Sequence, residues 1–222
     1  MHEKKSKNII LSFDLDNTLI NNREGIIASF NYALNKYNLP LQEESEIECM
    51  IGIPLIEMFE SITDYDSSKL VFAFREYYGR KGIYKANILP GIKATLKELS
   101  ELSYTLGVIT SKKQEMAVKV LEILKLHEYF DYVIGETEDT KELGKLDPKL
   151  KLKIEENYPG YKIIIIGDHP KDVLLSNNLN CPFIGVLTGH HSSKQLKEIK
   201  KGKAIILKSV SEITNEIIIS LI

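Results

Sequence analysis

The stretch Phe13-Asp14-Leu15-Asp16-Asn17-Thr18-Leu19 follows the apolar run Ile9-Ile10-Leu11 near the start of the chain. The apolar run predicts a buried strand, and two carboxylates stand where that strand ends. Side chains two residues apart project the same way from an extended backbone, so we expect Asp14 and Asp16 to share the crevice at the strand's carboxyl end. Such a pair can bind a hard cation and perform acid–base chemistry. Two like charges this close need a counter-ion or a shared proton, and the competing explanation is a pair of solvated loop aspartates.

Short apolar strands alternate with amphipathic helices over most of the chain. Strands are predicted at 9–13, 105–109, 132–134, 162–166 and 182–186, with a possible edge strand at 204–207. Helical spacing of apolar residues predicts helices at 91–102, 113–126, 148–157, 170–179, 193–200 and 210–221. This βαβ repetition predicts an α/β fold with a Rossmann-like, mostly parallel sheet and helices on both of its faces.

One interval interrupts the alternation. Between residues 25 and 82 no strong strand is predicted, and helices are expected at 26–37, 44–51, 55–62 and 68–78. This pattern predicts an inserted all-helical cap domain at 21–87, with the α/β core at 1–20 and 88–222. The flanking segments 20–24 and 83–90 are the expected hinges.

Composition excludes several classes of function. The 222 residues are 43% hydrophobic and carry a formal net charge of -2, so neither disorder nor a nucleic-acid partner is indicated. Met1 to Lys7 is polar, and no apolar run reaches the length of a membrane span. The two cysteines, Cys49 and Cys181, lie far apart and form no metal-binding spacing, which favours a reducing compartment. We therefore expect a cytoplasmic protein without a membrane partner.

Three more signals stand near predicted strand ends. Thr110-Ser111 follows the strand at 105–109, where a hydroxyl and backbone N–H groups can hold a phosphate oxygen. Taken alone, the pair is better explained as a cap of the next helix, a common role of Ser and Thr. Lys145 precedes a helix that begins with a proline, and on its own it reads as a surface lysine. Gly167-Asp168-His169-Pro170-Lys171-Asp172 follows the strand at 162–166, so both of its carboxylates can point toward Asp14.

Together these signals resemble the haloacid dehalogenase superfamily, in its phosphoglycolate phosphatase-like branch with a helical cap. The superfamily's Asp-x-Asp-x-Thr motif is matched by Asp14, Asp16 and Thr18. Its Thr/Ser motif is matched by Thr110, its lysine by Lys145, and its Gly-Asp-x-x-x-Asp by residues 167–172. The sequence departs from the family at Asn17 and Asn180, where glycine is commoner, and at Leu146, where proline often follows the lysine.

The resemblance implies a phosphomonoester hydrolase that depends on Mg²⁺. Asp14 would be the nucleophile that forms an aspartyl-phosphate, and Asp16 would be the general acid and base. Thr110, Ser111 and Lys145 would bind the phosphoryl group. Mg²⁺ would be held by Asp14, the backbone carbonyl of Asp16, Asp168 and Asp172.

Several alternatives stay open at this point. A receiver domain is disfavoured by the helical insertion, and a dehalogenase by Asp16. A phosphomutase, a catalytically silent regulatory binding protein and a phosphonate hydrolase remain; the last needs a cap lysine, for which Lys36, Lys69, Lys81 and Lys85 are the candidates.

The substrate is expected to be a small phosphorylated metabolite such as a phosphoglycolate-like compound, a sugar phosphate or a nucleotide. The cap residues proposed to read it are Asn21, Arg23, Gly52 and Arg75. His169, His190 and His191 are expected to lie beside the site or in an exposed loop without binding metal. The protein is expected to act as a monomer or homodimer.

Overall fold

Six parallel strands form one sheet in the computed structural model, which describes residues 8–137 and 144–222. The strands of the chain are β1 (Ile9–Phe13), β2 (Ile20–Asn21), β3 (Asn87–Ile88), β4 (Thr105–Lys113), β5 (Tyr132–Glu136), β6 (Lys162–Gly167), β7 (Phe183–Val186) and β8 (Ala204–Leu207). The six-stranded sheet has the order β5-β4-β1-β6-β7-β8. Every pairing in it is parallel, which confirms the predicted fold class.

Strand β1 lies at the centre of the sheet, and all five of its residues are buried. Leu11 and Phe13 belong to the hydrophobic cluster on one face, whereas Ile10 packs into the cluster on the other. Burial on both faces explains why β1 reads as a continuous apolar run rather than as an alternating one. The central position places the residue after Phe13 between the ends of β4 and β6.

Ten α-helices are found among the described residues. Those of the insertion are α1 (Arg23–Lys36), α2 (Glu44–Met50), α3 (Leu55–Glu60) and α4 (Ser67–Arg80). Those of the α/β part are α5 (Ile92–Glu101), α6 (Gln114–Ile123), α7 (Pro148–Asn157), α8 (Pro170–Asn178), α9 (Ser193–Ile199) and α10 (Asn215–Leu221). No helix in the described ranges is long and apolar enough to cross a membrane.

The helical insertion has a small aromatic core of its own. Phe30 of α1 stacks on Phe59 of α3 with ring centroids 4.2 Å apart, and Phe74 of α4 stacks on Tyr78 at 5.6 Å. The two segments that connect the insertion to the sheet pair with each other as the antiparallel ribbon β2–β3, in which Ile20 faces Ile88. The division of the chain into domains at 20/21 and 87/88 stays a prediction.

Two helix predictions need correction. The segment 210–221 was expected to be one helix, but a 3-10 turn at Val210–Glu212 ends before α10 begins. The reason is that the Thr214 side chain accepts a hydrogen bond from the backbone N–H of Ile217 and caps a new helix. Helix α6 ends at Ile123 instead of 126, since Lys125 adopts a left-handed φ of 55° that a helix cannot continue.

Candidate active site

Residues from three neighbouring strands converge at one edge of the sheet. Asp14 follows β1, and its backbone N–H donates to the carbonyl of Ile166 at 2.8 Å, which extends the pairing with β6 by one step. Asp168 directly follows β6, and Thr110 lies on β4. All three side chains are buried. The parallel strands β4, β1 and β6 therefore place Asp14 between Thr110 and Asp168.

Lys145 joins two of the carboxylates. It lies in a 3-10 turn at Gly144–Leu146, and only 3% of the residue is exposed. Its Nζ donates to Oδ1 of Asp14 at 2.5 Å and to Oδ1 of Asp172 at 2.7 Å. A buried ammonium needs such partners, so the surface explanation that the sequence left open does not hold here.

Asp168 and Asp172 are fixed by neighbouring hydrogen bonds. Thr18 donates its hydroxyl to Oδ1 of Asp168 at 2.7 Å. Asp172 lies in the first turn of α8 and accepts the backbone N–H of His169 at 3.1 Å, so it also serves as half of a capping box. Ligand atoms of Asp14, Asp168 and Asp172 lie within 4.8 Å of one another.

Burial controls the charge of this cluster. Loss of solvent raises the pKa of Asp14 to about 7, against the opposing attraction of Lys145 and with the repulsion of Asp172 added. Burial likewise raises the pKa of Asp168 well above its usual range, with repulsion from Asp14 next in importance. Burial alone would lower the pKa of Lys145, but Asp14 and Asp172 outweigh it and raise that pKa. Three carboxylates thus lie near one ammonium, which contacts two of them.

Asp16 faces a different set of partners from Asp14. Its Oδ2 forms an ion pair with Nζ of Lys112 at 3.0 Å, and its Oδ1 accepts Nδ2 of Asn22 at 3.1 Å. The same Asn22 amide donates to the Tyr78 hydroxyl at 2.6 Å. The Asp16 carboxylate is therefore outside the acidic cluster, and the expected contact of its backbone carbonyl with Mg²⁺ stays a prediction.

Thr110 and Ser111 do not cap the next helix. Strand β4 continues through both residues to Lys113, with a register shift against β5 between Ile109 and Lys113. The Thr110 hydroxyl accepts the backbone N–H of Lys112 at 3.2 Å. The Ser111 hydroxyl donates to the carbonyl of Gly52, in the helical insertion, at 3.2 Å. Ser111 therefore contacts the insertion across the site.

A cleft between the helical insertion and the sheet edge opens onto Asp14. Its cavity volume is about 80 Å³, and Asp14, Asp16, Thr110 and Ser111 lie on its sheet side. Two of the residues proposed to read the substrate, Gly52 and Arg75, line it.

The other two proposed reading residues lie elsewhere. Asn21 and Arg23 line a separate depression on the outside of α1. Arg23 donates to Oδ1 of Asn17 at 3.2 Å and to the carbonyl of Thr188 at 2.9 Å. Arg23 therefore contacts the loop after β1, and its proposed contact with the substrate stays a prediction.

The histidines are not part of the acidic cluster. The ring of His169 is buried, its Nδ1 accepts the backbone N–H of Lys171 at 3.1 Å, and burial lowers its pKa to about 3. His191 packs edge-on against it with ring centroids 4.6 Å apart. His190 contacts Glu48 of α2 at 3.4 Å. Among the described residues, the one group placed to bind a metal contains aspartates alone.

Several residues of the site carried no sequence signal that singled them out. Lys112, Asn22 and Tyr78 surround Asp16, yet each looks ordinary in its own segment. Glu136, at the end of β5, forms an ion pair with Arg75 at 3.2 Å across the cleft. The one available hint was that Lys112 and Glu136 stand near the carboxyl ends of predicted strands, where ligands bind in such folds.

Comparisons with known proteins agree with this geometry. Residues 10–186 match the family model described as haloacid dehalogenase-like hydrolase. The chain is 29% identical to the probable phosphatase IndB of Dickeya dadantii, over 92% of this chain and 91% of that protein. It is 28% identical to a 5'-nucleotidase of Pseudomonas aeruginosa, over 83% and 85% of the two lengths.

A solved structure shows the same likeness in three dimensions. It is that of a predicted phosphatase from Clostridium acetobutylicum, which is 32% identical and superposes with a TM-score of 0.82. The match covers 94% of this chain and 97% of that one.

Proposed function

Because the chain belongs to the haloacid dehalogenase-like hydrolase family, we propose that it is a Mg²⁺-dependent phosphatase that hydrolyses small phosphomonoesters through an aspartyl-phosphate on Asp14. Relatives named as phosphatases support hydrolysis of phosphate esters. The observation that carries the proposal is the contact of one buried lysine, Lys145, with both Asp14 and Asp172. This arrangement orients a carboxylate nucleophile and places a cation where a phosphoryl group would arrive.

Each residue of the site has a defined part in the proposed reaction. An oxygen of Asp14 forms the new bond to phosphorus while the bond to the ester oxygen breaks, and Asp16 gives a proton to the departing alcohol. Asp16 then takes a proton from the water that attacks the aspartyl-phosphate, which releases inorganic phosphate and restores Asp14. Lys145, Thr110 and the backbone of Ser111 hold the phosphoryl oxygens during both steps.

The acidic cluster fits the proposed metal. Asp14, Asp168 and Asp172 offer oxygen atoms, which Mg²⁺ prefers, and their summed charge exceeds that of Lys145. When bound, Mg²⁺ would neutralise the phosphoryl charge that an anionic nucleophile must approach. Burial raises the pKa of Asp14 and so favours its protonated form, which is not nucleophilic. A cation beside the carboxylate would lower that pKa and favour the ionised form, which supports this assignment.

The alternatives differ in the residues they require. A phosphonate hydrolase needs a cap lysine in the site, but the described lining of the cleft includes only Lys112 and Lys113, both of β4. Lys36 pairs with Glu76 and Lys85 with Glu24, away from the cleft. A phosphomutase would return an isomeric monoester instead of inorganic phosphate, so product analysis distinguishes it. Monomeric or homodimeric action in the cytoplasm stays a prediction.

Substitution of the nucleophile tests the proposal. We expect the protein to hydrolyse 4-nitrophenyl phosphate with Mg²⁺ and the Asp14→Asn variant to lose at least about 1,000-fold in kcat, because the amide keeps the shape but removes the nucleophile. The measurement is steady-state release of 4-nitrophenol, with unfolding curves to show that the variant is folded. Turnover above a tenth of the unsubstituted protein's would contradict the assignment of Asp14.

A further inference from the structure

The cleft above Asp14 is apolar on the side where the organic half of a substrate would lie. Helices α1, α3 and α4, the loop before α3 and helix α6 supply its apolar lining, which includes Ile26, Ile51, Leu55, Met58, Phe74 and Met116. Four of these are buried, while Leu55 and Met116 are half-buried. The polar groups to which we assign roles in the reaction lie at the sheet edge instead; they are Asp14, Thr110 and Lys145. The cleft thus has a polar floor for the phosphoryl group and an apolar wall.

The cations in the described lining of the cleft already have anionic partners. Lys112 pairs with Asp16 at 3.0 Å, and Arg75 pairs with Glu136 at 3.2 Å. Lys113, at the mouth, pairs with Glu115 at 3.1 Å. A carboxylate or second phosphate on the substrate would have to share one of these cations with the acidic group that already pairs with it, and the two anions would repel each other.

Two hydroxyl groups of the wall each already make a hydrogen bond within the protein. The Ser111 hydroxyl donates to the carbonyl of Gly52, and the Tyr78 hydroxyl accepts the Asn22 amide. A sugar that brought several hydroxyls into this space would leave them against apolar side chains. An unpaired hydroxyl in such surroundings is unfavourable, which disfavours polyhydroxylated substrates.

We propose that the substrate of this cleft is the monophosphate of a small, uncharged, apolar alcohol, rather than phosphoglycolate, a sugar phosphate or a nucleotide. The inference rests on the proposed phosphatase function and specifies its substrate class. Apolar contacts with Leu55 and Met116 supply the selectivity, while the paired state of Arg75 and Lys112 keeps charged organic groups out.

Three phosphate esters of primary alcohols provide the test, because their leaving groups are chemically matched. Benzyl phosphate carries an apolar group, 2-phosphoglycolate a carboxylate, and glucose 6-phosphate several hydroxyls. We expect kcat/KM with Mg²⁺ to be at least about tenfold higher for benzyl phosphate than for the other two. The measurement is release of inorganic phosphate.

Adjacent residues of α3 give a matched pair of variants. Leu55 lines the cleft, whereas Ile56 is exposed and is not among the residues that line it. Leu55→Gln should lower kcat/KM for benzyl phosphate about tenfold and leave that for 2-phosphoglycolate within about twofold. Ile56→Gln should change neither value. Met116→Gln, an unbranched replacement in α6, should have the same effect as Leu55→Gln. It replaces Leu55→Gln in the test if the Leu55 variant folds poorly.

The outcomes of these experiments distinguish a wrong substrate class from a wrong assignment of phosphatase activity. A higher kcat/KM for 2-phosphoglycolate or glucose 6-phosphate would overturn the apolar assignment while leaving the phosphatase intact. Loss of a 2-phosphoglycolate preference in Lys113→Met would then identify Lys113 as the anion-binding group. Equal losses for all esters in Leu55→Gln and Met116→Gln would also overturn it. Absence of hydrolysis with every ester, 4-nitrophenyl phosphate included, would instead reject the proposed function.

Discussion

Asp16 is held by donors from two parts of the chain. Lys112 reaches it from β4 of the sheet, and Asn22 reaches it from the segment that leads into α1. Nζ of Lys112 also lies over the ring of Tyr78, 4.7 Å from its centroid. Burial would lower the pKa of Lys112, but attraction to Asp16 outweighs it and raises that pKa. A carboxylate that transfers protons must be aimed at the ester oxygen, so we propose that Lys112 positions Asp16.

Replacement of Lys112 tests that role. We expect Lys112→Met to lower kcat/KM about tenfold more for an alkyl phosphate than for 4-nitrophenyl phosphate, because the nitrophenolate leaves without a proton from Asp16. Asp16→Asn should show the same imbalance to a greater degree, and Lys112→Arg should restore part of it. Lys97→Met, on the exposed surface of α5, is the control. An equal loss on both substrates would show that Lys112 only supports the fold.

At the scale of elements, the helical insertion touches the sheet edge at a few defined places. Glu57 of α3 forms an ion pair with Lys171 of α8 at 2.8 Å, and Gly52 lies directly against His169. Gly52 has a φ of +115°, and a Cβ there would stand 2.8 Å from Cδ2 of His169. Only glycine allows both this backbone conformation and this close approach.

We therefore expect Gly52→Ala to impair every substrate together. The added methyl group clashes with His169 and strains the backbone, so the insertion can no longer pack against the sheet edge. We therefore expect kcat/KM to fall about tenfold or more for all esters. Steady-state kinetics with benzyl phosphate and 4-nitrophenyl phosphate measure this. Gly79→Ala, in α4, has its nearest neighbour 4.0 Å away and serves as the control.

The double variant Gly52→Ala/His169→Ala separates the two causes. Removal of the ring should restore part of the lost activity if the clash with His169 matters. If the double variant were no better than the single one, backbone strain at Gly52 would account for the whole effect. Unchanged activity in Gly52→Ala would show that the contact between the insertion and the sheet edge has no part in turnover.

For the whole molecule, the acidic cluster links stability to pH and metal. The ordinary pKa of an aspartate side chain is 3.8, and burial in the folded protein raises the pKa of Asp14 to about 7. The folded state therefore binds this proton more tightly than the unfolded state does. Stability from this group is present below about pH 4 and is lost as the pH rises toward 7. Asp168 acts in the same direction, while the lowered pKa of His169 removes stability as the pH falls below 6.5.

Mg²⁺ should therefore stabilise the protein more at pH 7.5 than at pH 5. We expect the midpoint of thermal unfolding to rise with Mg²⁺ by several degrees at the higher pH, because the ion binds the ionised cluster of the folded state only. Without Mg²⁺, Asp14→Asn should be more stable than the unsubstituted protein at pH 7.5, with a smaller difference at pH 5. An undiminished Mg²⁺ effect in Asp168→Asn would show that the ion binds elsewhere.

The sequence by itself determined the sheet and the sites at its edge. Continuous apolar runs identified β1 and β6 as strands buried on both faces, and carboxylates directly after them had to meet where parallel strands end. Asn17, which stands where the family more often has glycine, has a left-handed φ of 61°. These features depend on local periodicity and on residue type, which a single sequence contains in full.

Contacts between distant segments were decided only by the tertiary structure. The sequence could not pair Lys145 with Asp172, Lys112 with Asp16 or Arg75 with Glu136, because each pair joins elements whose relative placement depends on packing. Arg23 is one candidate for reading the substrate, and only the structure shows that it donates to Asn17 in the loop after β1. Periodicity fixes which face of an element is buried, but the packing of all elements together decides what that face meets.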